Sequence, residues 1–332
     1  MNNDNKQEVL ECLKEAILHC RESDIPFSRD VYRAVAKHLD LAYKSDAAVR
    51  THYGSWDSGV NAAYLDLGPV ESGPQEEFSF LKQRYVKPDV PYRILVLPDI
   101  HVPFDNKKAV DAALQAGEMY EPDEVIQLGD LMDCYKLSQF TKEPERGANF
   151  QGELDEGTEM LRQIKKRTGA QRATMLEGNH EERLRRYLLT QAGALSNLRV
   201  LTIPTLLKLE EIGWDFMEAH EFYAINNVHF THGEYAQKYS SRKHMEQYGV
   251  TIIHGHTHKL QWHCNKFIDR QIEAWEFGCL SSLNVSRDYI KCANWQHGFG
   301  TVTVLNDQYW INGYHIRDGR VEFQGKIIEG KE

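Results

Sequence analysis

The 332-residue chain has no apolar run that approaches the roughly 18 residues a membrane span needs. Its first residues, Met1-Asn2-Asn3-Asp4-Asn5-Lys6, lack an apolar stretch, so a secretory signal is not expected. There is no Cys-x-x-Cys. The six cysteines stand apart at positions 12, 20, 134, 264, 279 and 292. That argues against a disulfide scaffold or a thiolate zinc site and fits a reducing, cytoplasmic setting. Cationic excess is also missing: 39 Lys and Arg against 49 Asp and Glu leave a net charge of −10. Coating of nucleic acid by bulk charge is therefore disfavoured, though a local basic track is not. No solenoid-period repeat or low-complexity tract occurs. What is present is core material: 41% hydrophobic residues, with 16 Tyr and 13 Phe, rule out a disordered chain. The length suggests roughly two domains. The unusual count is 15 His, and their placement carries the argument.

Residues 1–68 read as helical. Val9, Leu10, Leu13, Ile17 and Leu18 recur at helical spacing. Ile25-Pro26-Phe27 breaks that helix, and Ser28 can cap a second one with Val31, Tyr32, Val35, Ala36 and Leu39 on one face. Ser45 or Asp46 can cap a short third helix through Tyr53. Gly54-Ser55-Trp56 turns the chain, and Val60, Ala63, Tyr64 and Leu67 suggest a fourth helix. Residues 69–91 hold Pro69, Pro74, Pro88 and Pro91 with acidic residues, a linker composition. From Tyr92 onward the pattern alternates. Apolar runs at 93–98, 124–128 and 173–176 flank helical stretches at 109–120 and 154–166, which implies parallel strands with helices on the sheet's faces. Beyond residue 214 strands are expected at 214–217, 222–225, 228–232, 250–254, 259–266, 271–277, 299–305, 309–315 and 321–326. One helix is expected over 235–248.

The chemistry lies just past the strands. The first ends in Asp99-Ile100-His101, the second in Gly129-Asp130-Leu131-Met132-Asp133, the third in Gly178-Asn179-His180-Glu181. Later ones end in Thr231-His232-Gly233 and His254-Gly255-His256-Thr257-His258. Ligands of open α/β sheets bind at the carboxyl ends of strands. Five strand ends thus converge, each delivering Asp, Asn or His. Carboxylate, amide oxygen and neutral imidazole suit divalent transition ions. The number of donors suggests two ions sharing one carboxylate, an arrangement that clamps both oxygens of a phosphoryl displacement. Glycines at 129, 178, 233 and 255 allow sharp turns at the metal. Asp-x-His or Gly-Asp alone is a common surface or turn feature; the ordered set is what counts.

That ordered set resembles the calcineurin-like metallophosphoesterase superfamily, with its D-x-H, G-D, G-N-H-E/D, H and G-H-x-H pattern, over roughly residues 92–320. The resemblance implies an α/β fold: a four-layer αββα sandwich over 92–332, preceded by a small all-helical domain at 1–68 and a linker at 69–91. It implies two metal ions, manganese foremost, with iron, zinc, cobalt or nickel as alternatives. Asp99, His101, Asp130 and His258 would hold one, and the bridging Asp130 with Asn179, His232 and His256 the other. A hydroxide bridging the ions would attack. His180 would assist the leaving group or the phosphoryl oxygens, and Asp133 would orient His180. His254 falls outside the pattern and reads as a packed residue.

Two departures narrow the reaction. Protein serine/threonine phosphatases of this superfamily resemble G-D-x-x-D-R-G and R-G-N-H-E. Here Cys134 follows Asp133 and Glu177 precedes Gly178, so both phosphate-clamping arginines are absent. A monoester dianion needs such a clamp more than a diester monoanion does. This points to a phosphodiesterase, with Arg183 and Arg186 as substrate candidates on the following helix. Val49-Arg50-Thr51-His52-Tyr53-Gly54-Ser55-Trp56, with Ala62, Ala63, Leu65 and Leu67, resembles the helical DNA-binding repeat found beside homing endonucleases. Its usual Gly-Leu ending is Leu67-Gly68 here. Residues 26–68 carry five cations and five anions, so phosphate contacts would be modest. The expected function is a nuclease-like phosphodiesterase acting on nucleic acid, DNA in particular, without a membrane partner. The alternatives are a phosphomonoesterase or small-nucleotide hydrolase capped by the N-terminal helices, and a scaffold with an inactive site. Oligomeric state is not readable.

Overall fold

The computed structural model describes residues 3–22, 29–43, 46–53, 55–67, 81–87, 89–138, 149–283 and 293–332. The expected break and cap at 25–28, Ser45 and Gly54 lie outside these residues, as does most of the linker. The chain forms two compact units. One holds residues 1–79, 83–92 and 304–309, and the other 80–82, 93–303 and 310–332. No helix among the described residues is long and apolar enough to cross a membrane.

The N-terminal unit contains α1 (Asn3–Glu22), α2 (Arg29–His38), α3 (Asp46–Tyr53) and α4 (Trp56–Leu67). Val9, Leu13, Ile17, Tyr32, Val49, Trp56 and Val60 form its core. The Tyr32 and Trp56 rings pack 5.3 Å apart, centroid to centroid. Leu18, expected on the apolar face, is exposed instead. Ser55 caps α4, its Oγ accepting the Ser58 N–H at 3.0 Å. Arg33 and Arg50 both pair with the buried Asp46, at 2.7 and 3.1 Å.

In the larger unit, the first sheet runs β12-β11-β2-β3-β4-β5. Its strands are β2 (Tyr92–Leu97), β3 (Glu124–Gln127), β4 (Arg172–Leu176), β5 (Asp215–Met217), β11 (His297–Leu305) and β12 (Gln308–Ile316). β2 through β5 are parallel. The second sheet runs β1-β6-β7-β8-β10-β9, from β1 (Leu81–Arg84), β6 (Phe222–Ile225), β7 (Val228–Phe230), β8 (Thr251–His254), β10 (Gln271–Phe277) and β9 (Leu260–Lys266). Helices α5 (Lys107–Tyr120) and α6 (Phe150–Thr168) share a core with Leu95, Leu97, Val125, Ala173 and Met175 of the first sheet. Asn106 and Asn149 cap these helices by accepting the N–H of Ala109 and Gly152, at 3.0 and 2.8 Å. Helix α7 (Ser240–Tyr248) packs Met245 on Ile252, Ile272 and Ala274 of the second sheet. The result is the expected four-layer αββα sandwich. Strands buried on both faces need continuous apolar runs, which is what residues 94–97 of β2 supply.

One polar tie crosses between the sheets. Glu124 of β3, fully buried, accepts hydrogen bonds from Thr174 Oγ1 and from Tyr223 Oη of β6, each at 2.9 Å.

Three sequence expectations change. The linker contributes the edge strand β1, whose exposed Leu81, Lys82 and Gln83 show no alternation to read. The single strand expected at 321–326 is a hairpin, β13 (Arg320–Phe323) and β14 (Lys326–Glu329). It turns at Gln324 and Gly325, both with positive φ, and Gln is a rare residue there. The helix expected from 235 begins at Ser240, because 234–239 form a turn whose Glu234 N–H donates to His244 Nε2 at 3.0 Å. Removing the Tyr223 hydroxyl would leave the buried Glu124 short of a donor. Tyr223→Phe should destabilise the protein by about 1–2 kcal/mol, read as a lower midpoint in urea unfolding; no change would show that the tie between the sheets contributes nothing.

Candidate metal centre

The strands of both sheets end at one pocket. Asp99 and His101 follow β2, Asp130 follows β3, and Asn179 and His180 follow β4. From the second sheet, His232 follows β7, and His256 and His258 follow β8. Asp99, His101, Asp130 and His258 each offer a ligand atom within 4.8 Å of the others, and Asp130, His232 and His256 form a second such group. Asp130 belongs to both. Asn179 joins the second group: its Oδ1 lies 3.0 Å from His232 Nε2 and 2.7 Å from His256 Nδ1.

Backbone geometry aims these groups. His101, Asp130, His256 and His258 all adopt left-handed φ, between 52° and 79°. That region is costly for non-glycine residues; His101, Asp130 and His258 are buried and His256 half-buried. A Cβ at Gly255 would overlap the Asp99 carboxylate, and one at Gly178 would overlap Asp130. Only glycine lets these loops approach so closely.

Each carboxylate is fixed by an amide of a loop that carries another site residue. Asp99 Oδ1 accepts the His256 N–H at 2.9 Å, and Asp130 Oδ1 accepts the His180 N–H at 2.9 Å. The other Asp130 oxygen faces imidazoles: His232 Nε2 at 3.4 Å, His101 Nε2 at 3.7 Å and His180 Nε2 at 3.9 Å. Burial alone would raise both carboxyls, but the imidazoles hold Asp99 below the usual range and Asp130 well below it. Burial opposes protonation of His232, yet Asp130 and Asp99 draw it up to about 9.

The donor set fits divalent ions. His232 Nδ1–H donates to Leu128 O at 2.8 Å, which leaves Nε2 as the ligating atom. His101 Nε2 and His258 Nε2 face each other at 3.1 Å between two carboxylates. The buried Nδ1 of His258 has no hydrogen-bond partner among the described residues, and that of His101 lies 3.4 Å from the Asp133 carboxylate. Convergent nitrogen lone pairs and carboxylates at zero to six per cent exposure are the environment a cation completes.

His180 stands beside the ligands, its ring 4.5 Å from that of His101. Its Nδ1–H donates to the Asp133 main-chain carbonyl at 2.9 Å, while the Asp133 carboxylate lies nearer His101 Nδ1, at 3.4 Å. Orientation of His180 therefore runs through the Asp133 backbone. Burial pushes His180 down to about 3, so it is neutral at pH 7. Arg183 reaches this corner, donating to Asp133 O at 2.8 Å and lying 2.9 Å from His180 Nε2. Arg186 points elsewhere and pairs with Glu182. His254 is buried and stacks on His244 at 4.0 Å.

Two glutamates that carried no role in the sequence reading brace the loops. The Glu181 carboxylate accepts the N–H groups of Asp130, Met132 and Gly178 at 2.8–3.0 Å. Burial and the Asp130 charge push it up to about 8. Glu276, buried in β10, accepts the N–H of Thr257 at 3.0 Å and of Lys259 at 3.2 Å, and the Ser240 hydroxyl at 2.7 Å. An acidic residue beside Phe277 in an apolar strand was the available signal. Among the described residues the pocket is lined by Phe104, Ser281, Ser282 and Trp295 as well as by His101, Asp130, Asn179, His256 and His258, and it holds about 150 Å³.

This fold and this centre are those of a known class. The chain belongs to the calcineurin-like phosphoesterase family, whose profile matches residues 92–260. It is therefore a metallophosphoesterase, a hydrolase. It is 29% identical to the gene 54 protein of Mycobacterium phage L5 over 254 residues, covering 71% of this chain and 98% of that protein. The gene 54 protein of Mycobacterium phage D29 is 28% identical over 269 residues, with the same coverage. Among solved structures it is similar to Vps29 of Cryptosporidium parvum, with TM-score 0.41 and 15% identity over 74% of this chain and all of that one. It is also similar to YfcE, a phosphoesterase from E. coli, with TM-score 0.34 and 12% identity over 68% of this chain and all of that one.

The Gly255–Asp99 contact yields a test. Gly255→Ala should displace the Asp99 carboxylate and lower bound metal at least tenfold, read by plasma emission, while the far-ultraviolet circular dichroism stays native. Full metal content in that variant would refute the packing argument.

Proposed function

We propose that the protein is a metal-dependent phosphodiesterase that hydrolyses nucleic acid, DNA in particular, with the N-terminal helices helping to hold the substrate. The observation that carries this reading is the pocket lining. Among the described residues it consists of His, Asp, Asn, Ser, Phe and Trp, with no lysine or arginine. The positions where a phosphatase clamp would stand hold the buried Cys134 and Glu177, the latter accepting the Ala219 N–H at 2.9 Å. A diester monoanion needs less cationic support than a monoester dianion. The resemblance of residues 49–67 to a DNA-binding repeat supports the choice of polymer.

Two divalent ions, manganese foremost, would be held by Asp99, His101, Asp130 and His258 and by Asp130, Asn179, His232 and His256. When bound they supply charge neutralisation at the phosphoryl group and an activated water. The protein's own residues do the rest. Asp130 serves both ligand groups through one carboxylate. His180, its Nδ1 proton committed to Asp133 O and its Nε2 accepting from Arg183, would assist the leaving oxygen or a phosphoryl oxygen once Nε2 carries a proton. Arg183 sits behind Nε2 as a fixed cation. That cation is the one observation favouring the alternative, a phosphomonoesterase or small-nucleotide hydrolase with the N-terminal helices as its cap.

Initial rates with Mn²⁺ on bis(p-nitrophenyl) phosphate and p-nitrophenyl phosphate separate the two. The diester should be preferred at least tenfold in kcat/KM, and a monoester preference would reject the reading. His180→Ala should slow turnover by about 10²–10⁴-fold with metal retained, whereas Asp130→Ala should lose both ions. Metal loss from His180→Ala would contradict its role.

The DNA-holding role has its own check. Deletion of residues 1–68 should weaken binding of a fluorescent DNA at least tenfold in low salt, by anisotropy, while small-diester hydrolysis persists. Unchanged DNA affinity would remove the N-terminal unit from substrate binding.

A further inference from the structure

One wall of the pocket has no part in holding metal or moving protons. It is formed by Phe104, Ser281, Ser282 and Trp295. Trp295 lies against the His258 ring, centroids 4.4 Å apart, and is half-buried. The next residue clamps it in place. Gln296 N–H donates to His258 O at 2.9 Å, Gln296 O accepts the Cys279 N–H at 2.9 Å, and Gln296 Oε1 accepts the Leu260 N–H at 3.0 Å. Three bonds to neighbouring strand ends leave Trp295 little freedom, so little order is lost when a ligand meets it. Phe104 is fixed as well. Its N–H donates to His101 O at 2.6 Å, its carbonyl accepts the Ser282 N–H at 2.7 Å, and its ring packs edge-on to Tyr135.

Ser281 adds a polar element. It is 3% exposed, and its Oγ has no hydrogen-bond partner among the described residues. Its carbonyl is taken by His297 Nε2 at 2.7 Å. A buried hydroxyl without a partner is costly, and one lining a pocket can be completed by a ligand atom. Among the described residues the wall therefore offers rigid aromatic surface, a hydroxyl in need of a partner and no cation. A second phosphate group would find no positive charge among those residues. An alkyl chain would leave Ser281 unpaired. A nucleobase has the matching chemistry, a flat π face with a polar edge.

We infer that Trp295 is a stacking platform for a nucleobase attached to the scissile phosphate, with Phe104 as a second aromatic wall and Ser281 Oγ bonding to the nucleoside. The inference rests on the reading of the neighbouring centre as one that hydrolyses nucleic-acid diesters, and names the part of the substrate that this wall recognises.

The test uses the full-length, metal-loaded protein and its Trp295→Ala and Trp295→Phe variants, with metal content measured for each. Calorimetry compares thymidine 5′-monophosphate with inorganic phosphate. The wild type should bind the nucleotide about tenfold more tightly, Trp295→Ala should bring the two within threefold, and Trp295→Phe should keep most of the gap. No nucleotide preference in the wild type, or a gap that survives Trp295→Ala, overturns the inference. So does loss of metal from Trp295→Ala, which would make Trp295 a shield for His258. A kinetic arm takes the ratio of kcat/KM for thymidine 5′-(p-nitrophenyl phosphate) to that for ethyl p-nitrophenyl phosphate. Trp295→Ala should lower that ratio about tenfold, and an unchanged ratio overturns the inference. Should only monoesters be turned over, the diester reading fails while the calorimetric gap still decides the stacking site.

Discussion

Two carboxylates buried at the ends of adjacent parallel strands set the terms for the rest of the molecule. Asp99 is fully buried and Asp130 nearly so. An ionised group taken out of water is costly unless hydrogen bonds and opposite charge replace the lost hydration. The chain supplies both in a fixed pattern. Each carboxylate takes an amide from a loop of another strand and faces imidazole: in Asp130 the two fall on different oxygens, and in Asp99 the His256 amide and the His258 ring both meet Oδ1. The amide donors, His256 and His180, lie on loops that also deliver functional side chains. Satisfying the carboxylates and assembling the site are thus one event, and it needs both sheets to meet.

The backbone shows where that constraint is absorbed. Four ligand positions take left-handed φ although none is glycine. Conformations of this kind cost of order 1–2 kcal/mol each and persist only where their surroundings dictate them. Glu181 and Glu276 are those surroundings. Glu181 gathers the amides of the β3 and β4 loops, and Glu276 gathers those on either side of His258. Each replaces a lattice of sheet hydrogen bonds that ends when the strand ends. Acidic residues braced by amides behind acidic ligands tolerate their mutual repulsion because cations at the centre would offset it.

The ligand set was legible from sequence because it sits at strand ends, where a short apolar run stops at Gly or Asp. Periodicity found β2 through β4 and their helices for the same reason: strands buried on both faces leave a dense apolar trace. The signal failed where burial is partial. β1 is an exposed edge, and the β13–β14 turn lacks the Asn-Gly or Asp-Gly that marks such hairpins. Glu181 lies inside a motif that the pattern explained without it, and its partners are main-chain amides that no sequence displays. Trp295 is separated from every ligand by 37 residues or more of chain. Only the pairing of Gln296 with the strand after His258 brings it there. Asp133 shows a subtler limit. The residue was placed beside His180, but its carbonyl rather than its carboxylate makes the contact.

Charge is local in this protein, and the chain total conceals it. Arg33 and Arg50 close on Asp46, Arg185 and Arg186 on Glu182, and Arg167 on Asp111 and Glu118. The arginines of these pairs are partly exposed, and their carboxylate partners take them out of competition for phosphate. Arg183 differs because its partners are a carbonyl and a neutral imidazole, with the Asp133 carboxylate no nearer than 3.8 Å. It is held beside His180 by these contacts and not by a close salt bridge. On the reading proposed above, negative charge brought by a substrate would be met in two places, by ions held at the candidate ligands and by the guanidinium beside His180.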